Sequence, residues 1–212
     1  CTEGYNLGTY STMRAVYWIF PRLAPAPFRA ECWMTIGRTV MQHQKFGNVS
    51  FARTWAEYKS GFGHFYGDHW LGLDHVSYIT NSRPQDLDFT VITRDPGDQL
   101  VRYHFYNHFK VSDESNQYRF TFSSEMGING LSDCLTSLKN APFSTIDVNN
   151  ADTCPSDFSA GWWFTSGNCS PCNPNGLLRR DLVYWSHNVT HTHWASIPDN
   201  YGIIEMTMTL KA

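Results

Sequence analysis

The sequence predicts a fold of the α+β class in one domain that spans all 212 residues. Three observations lead to this prediction. Apolar residues recur with helical spacing over residues 48–60, two alternating runs over 87–106 are typical of a β-hairpin, and residues 142–199 show little periodicity of either kind. Helices and strands are therefore expected in the first two thirds of the chain, followed by a long loop-rich region of the sort that carries binding sites.

The first predicted helix covers residues 48–60. Phe51, Trp55 and Tyr58 stand at positions i, i+4 and i+7, so their side chains share one face of a helix. Polar residues precede them and Gly61 follows, and these are residue types that begin and end helices. We therefore expect an amphipathic helix that turns these three aromatic side chains toward the core.

A second, shorter helix and several strands are expected after it. The helix follows Asp74, turns Val76 and Ile79 inward and ends before Pro84, because the residue before a proline is disfavoured in a helix. Alternation of β-branched or aromatic residues with polar ones then predicts four strands, at residues 87–94, 99–106, 117–123 and 203–210. The first two flank the turn-forming residues 95–98 and so form a hairpin.

The net charge and the hydropathy pattern exclude two classes of partner. Lysine and arginine number 16 against 19 aspartate and glutamate residues, a net charge of −3, which offers no cationic footprint for nucleic acid or an anionic membrane. The densest apolar run, residues 15–20, is far too short to cross a bilayer. We expect neither nucleic-acid binding nor membrane insertion.

The cysteines and the glycosylation signals indicate an extracellular protein. The chain has 6 cysteines, an even number, and N-glycosylation sequons begin at Asn48, Asn168 and Asn188. Both features are typical of secreted, disulfide-bonded chains. The spacing of Cys169 and Cys172 also occurs in redox motifs and zinc sites, but no second pair with that spacing and no βαβ pattern accompanies it, so a structural disulfide is favoured.

Two clusters in the loop-rich region have the composition of metal sites. Residues 143–154 place Asp and Asn at alternate positions, as in a short loop around calcium, although an ordinary turn shows the same pattern. His187, His191 and His193 supply three imidazoles for zinc, but no carboxylate partner for them is apparent. No activated nucleophile and no phosphate-binding glycine loop is visible, so we do not expect an enzyme.

Several motifs stand in a specific order along the whole chain: Trp55-Ala-Glu-Tyr-Lys-Ser-Gly61-Phe-Gly63, Trp70-Leu-Gly-Leu-Asp74, Phe143-Ser-Thr with Asp147, Cys154 eight residues before Trp162 and Trp163, Asn173 with Asn175 and Gly176, and Glu205 with Met206. In this order they resemble the fibrinogen-related (fibrinogen C-terminal) domains of ficolins, tachylectins, tenascins, angiopoietins and fibrinogen. The resemblance implies a central antiparallel sheet with short helices over about 48–141, an N-terminal part over about 1–47, and a loop-rich binding subdomain over about 142–212.

The resemblance also implies disulfides and a calcium site. The disulfides match Cys1–Cys32 and Cys154–Cys169. Cys134 and Cys172 have no usual counterpart in the family, so by elimination they pair with each other or join subunits. The calcium ligands of the family fall on the side chains of Asp147 and Asn149 and the carbonyls of Ala151 and Thr153. Because Asn149 replaces a carboxylate, we expect only weak calcium binding.

In the lectin members of the family, an acetyl group of the ligand enters a pocket beside the second C-terminal cysteine. The corresponding positions here are Phe158, Cys169, Ser170, Tyr184 and Trp185. The resemblance thus implies a secreted lectin for N-acetylated sugars, either sialic acids or N-acetylhexosamines, that recognises or agglutinates glycans as a homo-oligomer. Because Ser170 replaces the pocket histidine of the family, the alternative is an extracellular protein-binding module of the angiopoietin and fibrinogen kind.

Overall fold

The computed structural model describes residues 1–8, 14–95, 98–178, 188–198 and 201–212. Within them the predicted α+β class is confirmed. The first half of the chain contains α1 (Thr2–Asn6), β1 (Ala15–Ile19), β2 (Phe28–Trp33), β3 (Arg38–Gln44), α2 (Trp55–Ser60), β4 (Phe62–Gly63), β5 (His69–Trp70), α3 (Leu73–Ser82) and β6 (Gln85–Asp95). The second half contains β7 (Asp98–Val111), β8 (Phe120–Thr121), β9 (Ser124–Ile128), α4 (Cys154–Asp157), β10 (Cys172–Asn173), β11 (His193–Trp194) and β12 (Gly202–Lys211). None of the helices in these ranges is long and apolar enough to cross a membrane.

The main sheet is antiparallel and has its last strand near its centre. Its strands run in the order β1-β2-β3-β12-β6-β7-β8, while β9 pairs with β7 and the short β5 joins β3 to β4. The alternation over residues 203–210 predicts one polar face for this last strand. Thr207 and Thr209 are instead only 1% and 2% exposed, because β12 lies between β3 and β6 and has both faces covered.

The first predicted helix begins later than its apolar spacing suggests. The helix α2 starts at Trp55, and residues 48–54 are not helical. Thr54 sets the start of the helix through a capping box. In it, the Thr54 hydroxyl accepts a hydrogen bond from the Glu57 N–H, and the Glu57 carboxylate accepts one from the Thr54 N–H. Phe51 is buried outside the helix, where its carbonyl accepts a 2.7 Å hydrogen bond from the Tyr58 hydroxyl.

The other predicted elements differ in accuracy. The helix α3 is confirmed, with Val76 and Ile79 buried, and the hairpin of β6 with β7 is confirmed outside residues 96–97, which lie outside the described ranges. The strand predicted at 117–123 is wrong except for β8, and no strand is predicted where β1 to β5, β9, β10 and β11 lie. The strand β3 shows no alternation of polar and apolar residues, because its last six residues are all buried and both of its faces are covered.

An aromatic core connects the sheet to the loop-rich region. The ring of Tyr58 lies 5.3 Å from that of Trp70 and 5.1 Å from that of Phe143, and Phe143 lies 5.1 Å from Trp163. A Cβ atom at Gly161 would lie 2.4 Å from the Tyr58 ring, so only glycine fits at that position. The loop-rich region is therefore packed onto the sheet through large buried rings, although it has little regular structure.

Three disulfides add covalent links. Cys1 pairs with Cys32 and Cys154 with Cys169, as the resemblance implies, at Cα separations of 5.4 Å and 5.5 Å. Cys134 and Cys172 pair within the chain at a Cα separation of 6.0 Å. No cysteine is free. The Cys134–Cys172 bridge ties the segment after β9 to β10, and so joins the sheet to the loop-rich region.

Candidate functional site

The aromatic side chains of the described loop-rich region belong to the core. Each side chain of this kind in residues 142–178 and 188–198 is at most 7% exposed: Phe143, Phe158, Trp162, Trp163, Phe164 and Trp194. Trp163 donates its indole N–H to the Tyr118 carbonyl at 2.7 Å, and Trp194 donates to the Ser132 carbonyl at 2.8 Å. These rings therefore stabilise the fold and do not present faces on which a sugar could stack.

Three of the five residues expected to line an acetyl pocket are described. Phe158 is 7% exposed and packs against Phe164 and His193, at ring distances of 5.0 Å and 5.7 Å. Cys169 is half-buried, and its backbone is in the left-handed conformation, with a φ of 51°. Ser170 is 8% exposed, and its hydroxyl accepts a 3.3 Å hydrogen bond from the Cys172 N–H. Tyr184 and Trp185 lie outside the described residues.

Two pairs of aliphatic side chains are exposed in the same region. Ile146 and Val148, which flank Asp147, are 45% and 37% exposed, and Leu177 and Val189 are 45% and 46% exposed. The segments of Leu177 and Val189 lie side by side, because the Leu177 N–H donates a 2.8 Å hydrogen bond to the carbonyl that follows Val189. These four aliphatic side chains are available for contact with another protein.

The four predicted calcium ligands already bind protein donors. Asp147 Oδ1 accepts from the Trp55 N–H at 2.8 Å and Asn149 Oδ1 accepts from the Ala151 N–H at 2.9 Å. The carbonyls of Ala151 and Thr153 accept from backbone N–H groups at 3.1 Å and 2.9 Å. Asp147 supplies the one carboxylate of the set, and each of the four residues has an oxygen that already accepts a protein hydrogen bond, so these residues fit a tightly bound calcium ion poorly. Asp147 also has a structural role, since its carboxylate accepts the first N–H of α2.

The three glycosylation sequons lie at the surface. Asn48, Asn168 and Asn188 are all exposed. At the third sequon the Thr190 hydroxyl donates to Asn188 Oδ1 at 2.8 Å, and the Thr190 N–H donates to the same oxygen at 3.0 Å. Each asparagine is therefore accessible to a glycan, as an extracellular chain would require.

A cavity of about 580 Å³ lies away from the predicted pocket, beside the Cys1–Cys32 disulfide. Three strongly exposed apolar side chains line it, Leu7 at 72%, Trp18 at 71% and Phe20 at 65%. The sequence does not reveal this exposed group, because the apolar run over residues 15–20 is equally typical of a core strand. The strand β1 is the first strand in the order of the sheet, and Trp18 is its one residue in the exposed class.

A second feature that the sequence does not reveal is a buried polar cluster formed by Glu31, His43 and His69. Burial by itself would raise the pKa of Glu31, but hydrogen bonds from Arg14, the Tyr66 N–H and the Trp33 indole hold that pKa below its usual range. Burial lowers the pKa of His69. No local motif identifies the cluster, because its members come from three different strands that only the sheet brings together.

Comparison with known proteins identifies relatives along the whole chain. A family model for the C-terminal globular domain of fibrinogen beta and gamma chains matches residues 1–212. Angiopoietin-1 of Bos taurus is 32% identical over 184 residues, which are 84% of this chain and 35% of the relative. Angiopoietin-2 of Bos taurus is 35% identical over 221 residues, 100% of this chain and 42% of the relative. The chain thus spans less than half the length of these curated relatives.

Solved structures share the fold. The fibrinogen-like globe domain of human ANGPTL2 superposes with a TM-score of 0.86 at 25% identity, covering 97% of this chain and 95% of that domain. The lamprey fibrin D-dimer, solved with the peptide ligand Gly-His-Arg-Pro-amide, superposes with a TM-score of 0.83 at 26% identity. It covers 99% of this chain and 72% of the lamprey chain. The order of the strands described above is therefore that of a fibrinogen-like globe.

Proposed function

The chain belongs to the family of C-terminal globular domains of fibrinogen beta and gamma chains, and from this premise we propose that it is an extracellular protein-binding domain. The angiopoietin relatives, at 32% and 35% identity, support this function over that of a lectin for N-acetylated sugars. The lamprey relative with its peptide ligand supports it further, because a globe of this fold there accepts a polypeptide. The proposed activity is binding without catalysis.

The exposed side chains of the loop-rich region are the observation that carries this proposal. Leu177 and Val189 are exposed aliphatic residues on adjacent backbone segments, and Ile146 and Val148 are exposed on either side of Asp147. The aromatic rings of residues 142–178 and 188–198, the part of the region that the structure describes up to residue 198, are buried. A protein partner gains stability by burying aliphatic groups, whereas a sugar is bound by exposed ring faces and polar donors. The described part of the region therefore matches a protein partner better.

The disulfides and sequons support an extracellular location. Three intrachain disulfides persist in an oxidising compartment and are rare in the cytosol. The exposed Asn48, Asn168 and Asn188 have the positions that N-glycosylation needs. We also propose that several copies of the domain act together, because linked subunits raise the avidity of weak individual sites.

A panel of extracellular protein domains and a glycan array test the proposal together. The purified wild-type chain should bind at least one protein domain and no N-acetylated glycan. Leu177→Asp replaces one of these exposed aliphatic groups by a carboxylate and should weaken that protein binding by about tenfold or more. The matched control is Leu23→Asp, because Leu23 is 48% exposed, similar to Leu177 at 45%, and lies outside the loop-rich region.

Two results would contradict the proposal. Binding to N-acetylated glycans, with no binding to the protein domains, would support the lectin function instead. Ser170 and Trp185 would then be the first residues to replace in a search for the sugar pocket. Equal losses of protein binding in Leu177→Asp and Leu23→Asp would show that the loop-rich region is not the binding surface. Circular dichroism of both variants confirms that each one is folded.

A further inference from the structure

Glu31, His43 and His69 bring three metal-binding groups together inside the protein. They lie on β2, β3 and β5, and their exposed fractions are 0%, 0% and 1%. One ligand atom from each residue lies within 4.8 Å of the other two. Two imidazoles and one carboxylate form a donor set that zinc uses in proteins.

Both histidines are held in an orientation that leaves one ring nitrogen for a ligand. His69 Nδ1 lies 3.2 Å from the Gly67 carbonyl and therefore carries the proton, which leaves Nε2 as an acceptor. That Nε2 is buried and has no hydrogen-bond partner. His43 Nε2 lies 2.9 Å from Glu205 Oε1, which leaves His43 Nδ1 to face the cluster. Metal-ligating histidines typically donate their second N–H to a carbonyl or a carboxylate in this way.

A cation already contacts two of the three groups. Arg14 Nη2 lies 3.1 Å from Glu31 Oε2 and 3.1 Å from His43 Nδ1, so one guanidinium nitrogen bridges the carboxylate and the imidazole. The Arg14 side chain is 30% exposed, whereas that of Glu31 is 0% exposed. The guanidinium group therefore lies between the buried cluster and solvent.

We propose that Glu31, His43 and His69 form a zinc-binding site, for which Zn²⁺ and the Arg14 guanidinium compete. Zinc bonds to nitrogen and oxygen are about 2.0–2.2 Å long, so tetrahedral ligand atoms lie about 3.4 Å apart. Side-chain rotations that follow the departure of Arg14 bring the three groups to that spacing, and water supplies the fourth ligand. The ion then balances the charge of the Glu31 carboxylate in place of Arg14.

The other histidine clusters fit zinc less well. His104, Glu125 and Asp133 also lie close together, but this group contains a single imidazole, and neither of its two carboxylates is buried. The cluster expected from the sequence, His187 with His191 and His193, lies partly outside the described residues. Of the described groups, only the one around Glu31 combines a buried unpaired imidazole nitrogen with a carboxylate.

Zinc titration of the purified chain, after removal of metal with EDTA, tests the site. Calorimetry should give one ion per chain, and Co²⁺ in place of zinc should give the absorption bands of tetrahedral coordination. His69→Ala removes a ligand and should weaken zinc binding by at least about a hundredfold, beyond the loss expected for an outer-shell partner. The matched control is His64→Ala, which removes an exposed histidine five residues away and should leave the affinity unchanged.

Arg14→Met keeps all three ligands and removes the competing cation, so it tests the proposal even if His69→Ala does not fold. It should bind zinc at least about tenfold more tightly than the wild type. Its Tm should be low with EDTA, because Glu31 is left buried without a counter-charge, and zinc should restore it. The proposal is overturned if neither the wild type nor Arg14→Met binds zinc. It is equally overturned if His69→Ala keeps the wild-type affinity, or if Arg14→Met binds more weakly.

Discussion

The hydroxyl of Tyr58 connects three segments that are distant in the sequence. It donates a 2.7 Å hydrogen bond to the Phe51 carbonyl and accepts a 3.0 Å hydrogen bond from the Gly161 N–H. Burial raises the pKa of Tyr58, so the group stays protonated and keeps both bonds throughout the ordinary pH range. The helix α2 is thereby tied to the chain that precedes it and to the loop-rich region.

Replacing Tyr58 by phenylalanine should destabilise the protein by about 1–3 kcal/mol, because it leaves the Gly161 N–H buried without a partner. Urea unfolding followed by fluorescence measures the change. Tyr103→Phe is the matched control, since the Tyr103 hydroxyl has no hydrogen-bond partner among the described residues, and it should change the free energy of unfolding by less than about 0.5 kcal/mol. Equal losses in both variants would mean that the Tyr58 bonds contribute nothing specific.

At the scale of elements, the helix α2 depends on residues that precede it and on a distant loop. Thr54 caps it, and Asp147 accepts the Trp55 N–H at 2.8 Å and the Thr145 hydroxyl at 2.7 Å. A carboxylate is favourable at a helix N-terminus, where unpaired N–H groups carry partial positive charge. The residue that the family resemblance assigns to calcium therefore already stabilises a helix through protein hydrogen bonds.

Asp147→Ala should lower the free energy of unfolding by about 1 kcal/mol, the usual cost of losing a helix cap, and by the same amount in EDTA and in millimolar calcium. Thermal unfolding of the wild type and the variant in both buffers measures this. A wild-type Tm that rises with calcium, together with a rise that is lost in Asp147→Ala, would show that calcium binding at this loop is real and stabilising.

A surface ion pair links α2 to the 3-10 helix Glu114–Asn116. Lys59 donates to one Glu114 oxygen, and the Trp55 indole donates to the other at 2.9 Å. The hydrogen bond from Lys59, followed by that from Trp55, lowers the pKa of Glu114 below its usual 4.5, and the bond to Glu114 raises the pKa of Lys59 above its usual 10.5. A lowered carboxyl pKa stabilises the folded state above 4.5, and a raised amine pKa stabilises it below 10.5. The pair therefore contributes between these two values.

Glu114→Gln keeps an acceptor for Trp55 but removes the charge. At neutral pH the variant should be less stable than the wild type by less than about 1 kcal/mol, because both side chains of the pair are well exposed and screened by solvent. The difference should shrink as the pH falls through the lowered pKa of Glu114, where the wild-type carboxyl becomes protonated. Urea unfolding at neutral pH and at about pH 3 measures it, and a difference that persists in acid would contradict the ion-pair explanation.

At the scale of the whole molecule, the sheet and the disulfides join segments that are far apart in the sequence. The strand β12 lies between β3 and β6, so the C-terminus completes a sheet that the N-terminal part begins. The Cys134–Cys172 bridge then joins residues that are 38 positions apart and connects the sheet to the loop-rich region. All six cysteines of this sequence pair within one chain, so none of them is left to join subunits.

The double variant Cys134→Ser with Cys172→Ser should lose about 2–4 kcal/mol of stability, because the unfolded chain regains the freedom that the bridge removes. Chemical unfolding measures the loss, and a non-reducing gel of the wild type should show a single chain of 24.3 kDa plus any glycans. A covalent dimer that disappears in the double variant would show that these cysteines join subunits.

The sequence determined the family and the elements that depend on local chemistry. Its ordered motifs indicated a fibrinogen-related domain, which the family match confirms. The helix α3 and the hairpin of β6 with β7 followed from periodicity and turn residues, which act over a few positions. The apolar spacing by itself misplaced the start of α2, because Thr54 and Glu57 form a capping box that begins the helix at Trp55.

Only the tertiary structure decided which side chains face solvent and which ones meet. The resemblance assigns Phe158 to a sugar pocket, whereas in the structure Phe158 is buried in the core together with Trp163. Glu31, His43 and His69 carry no common motif, since they become neighbours only when β2, β3 and β5 lie side by side. The physical reason is that strand pairing and burial join residues far apart in the chain, which no local pattern records.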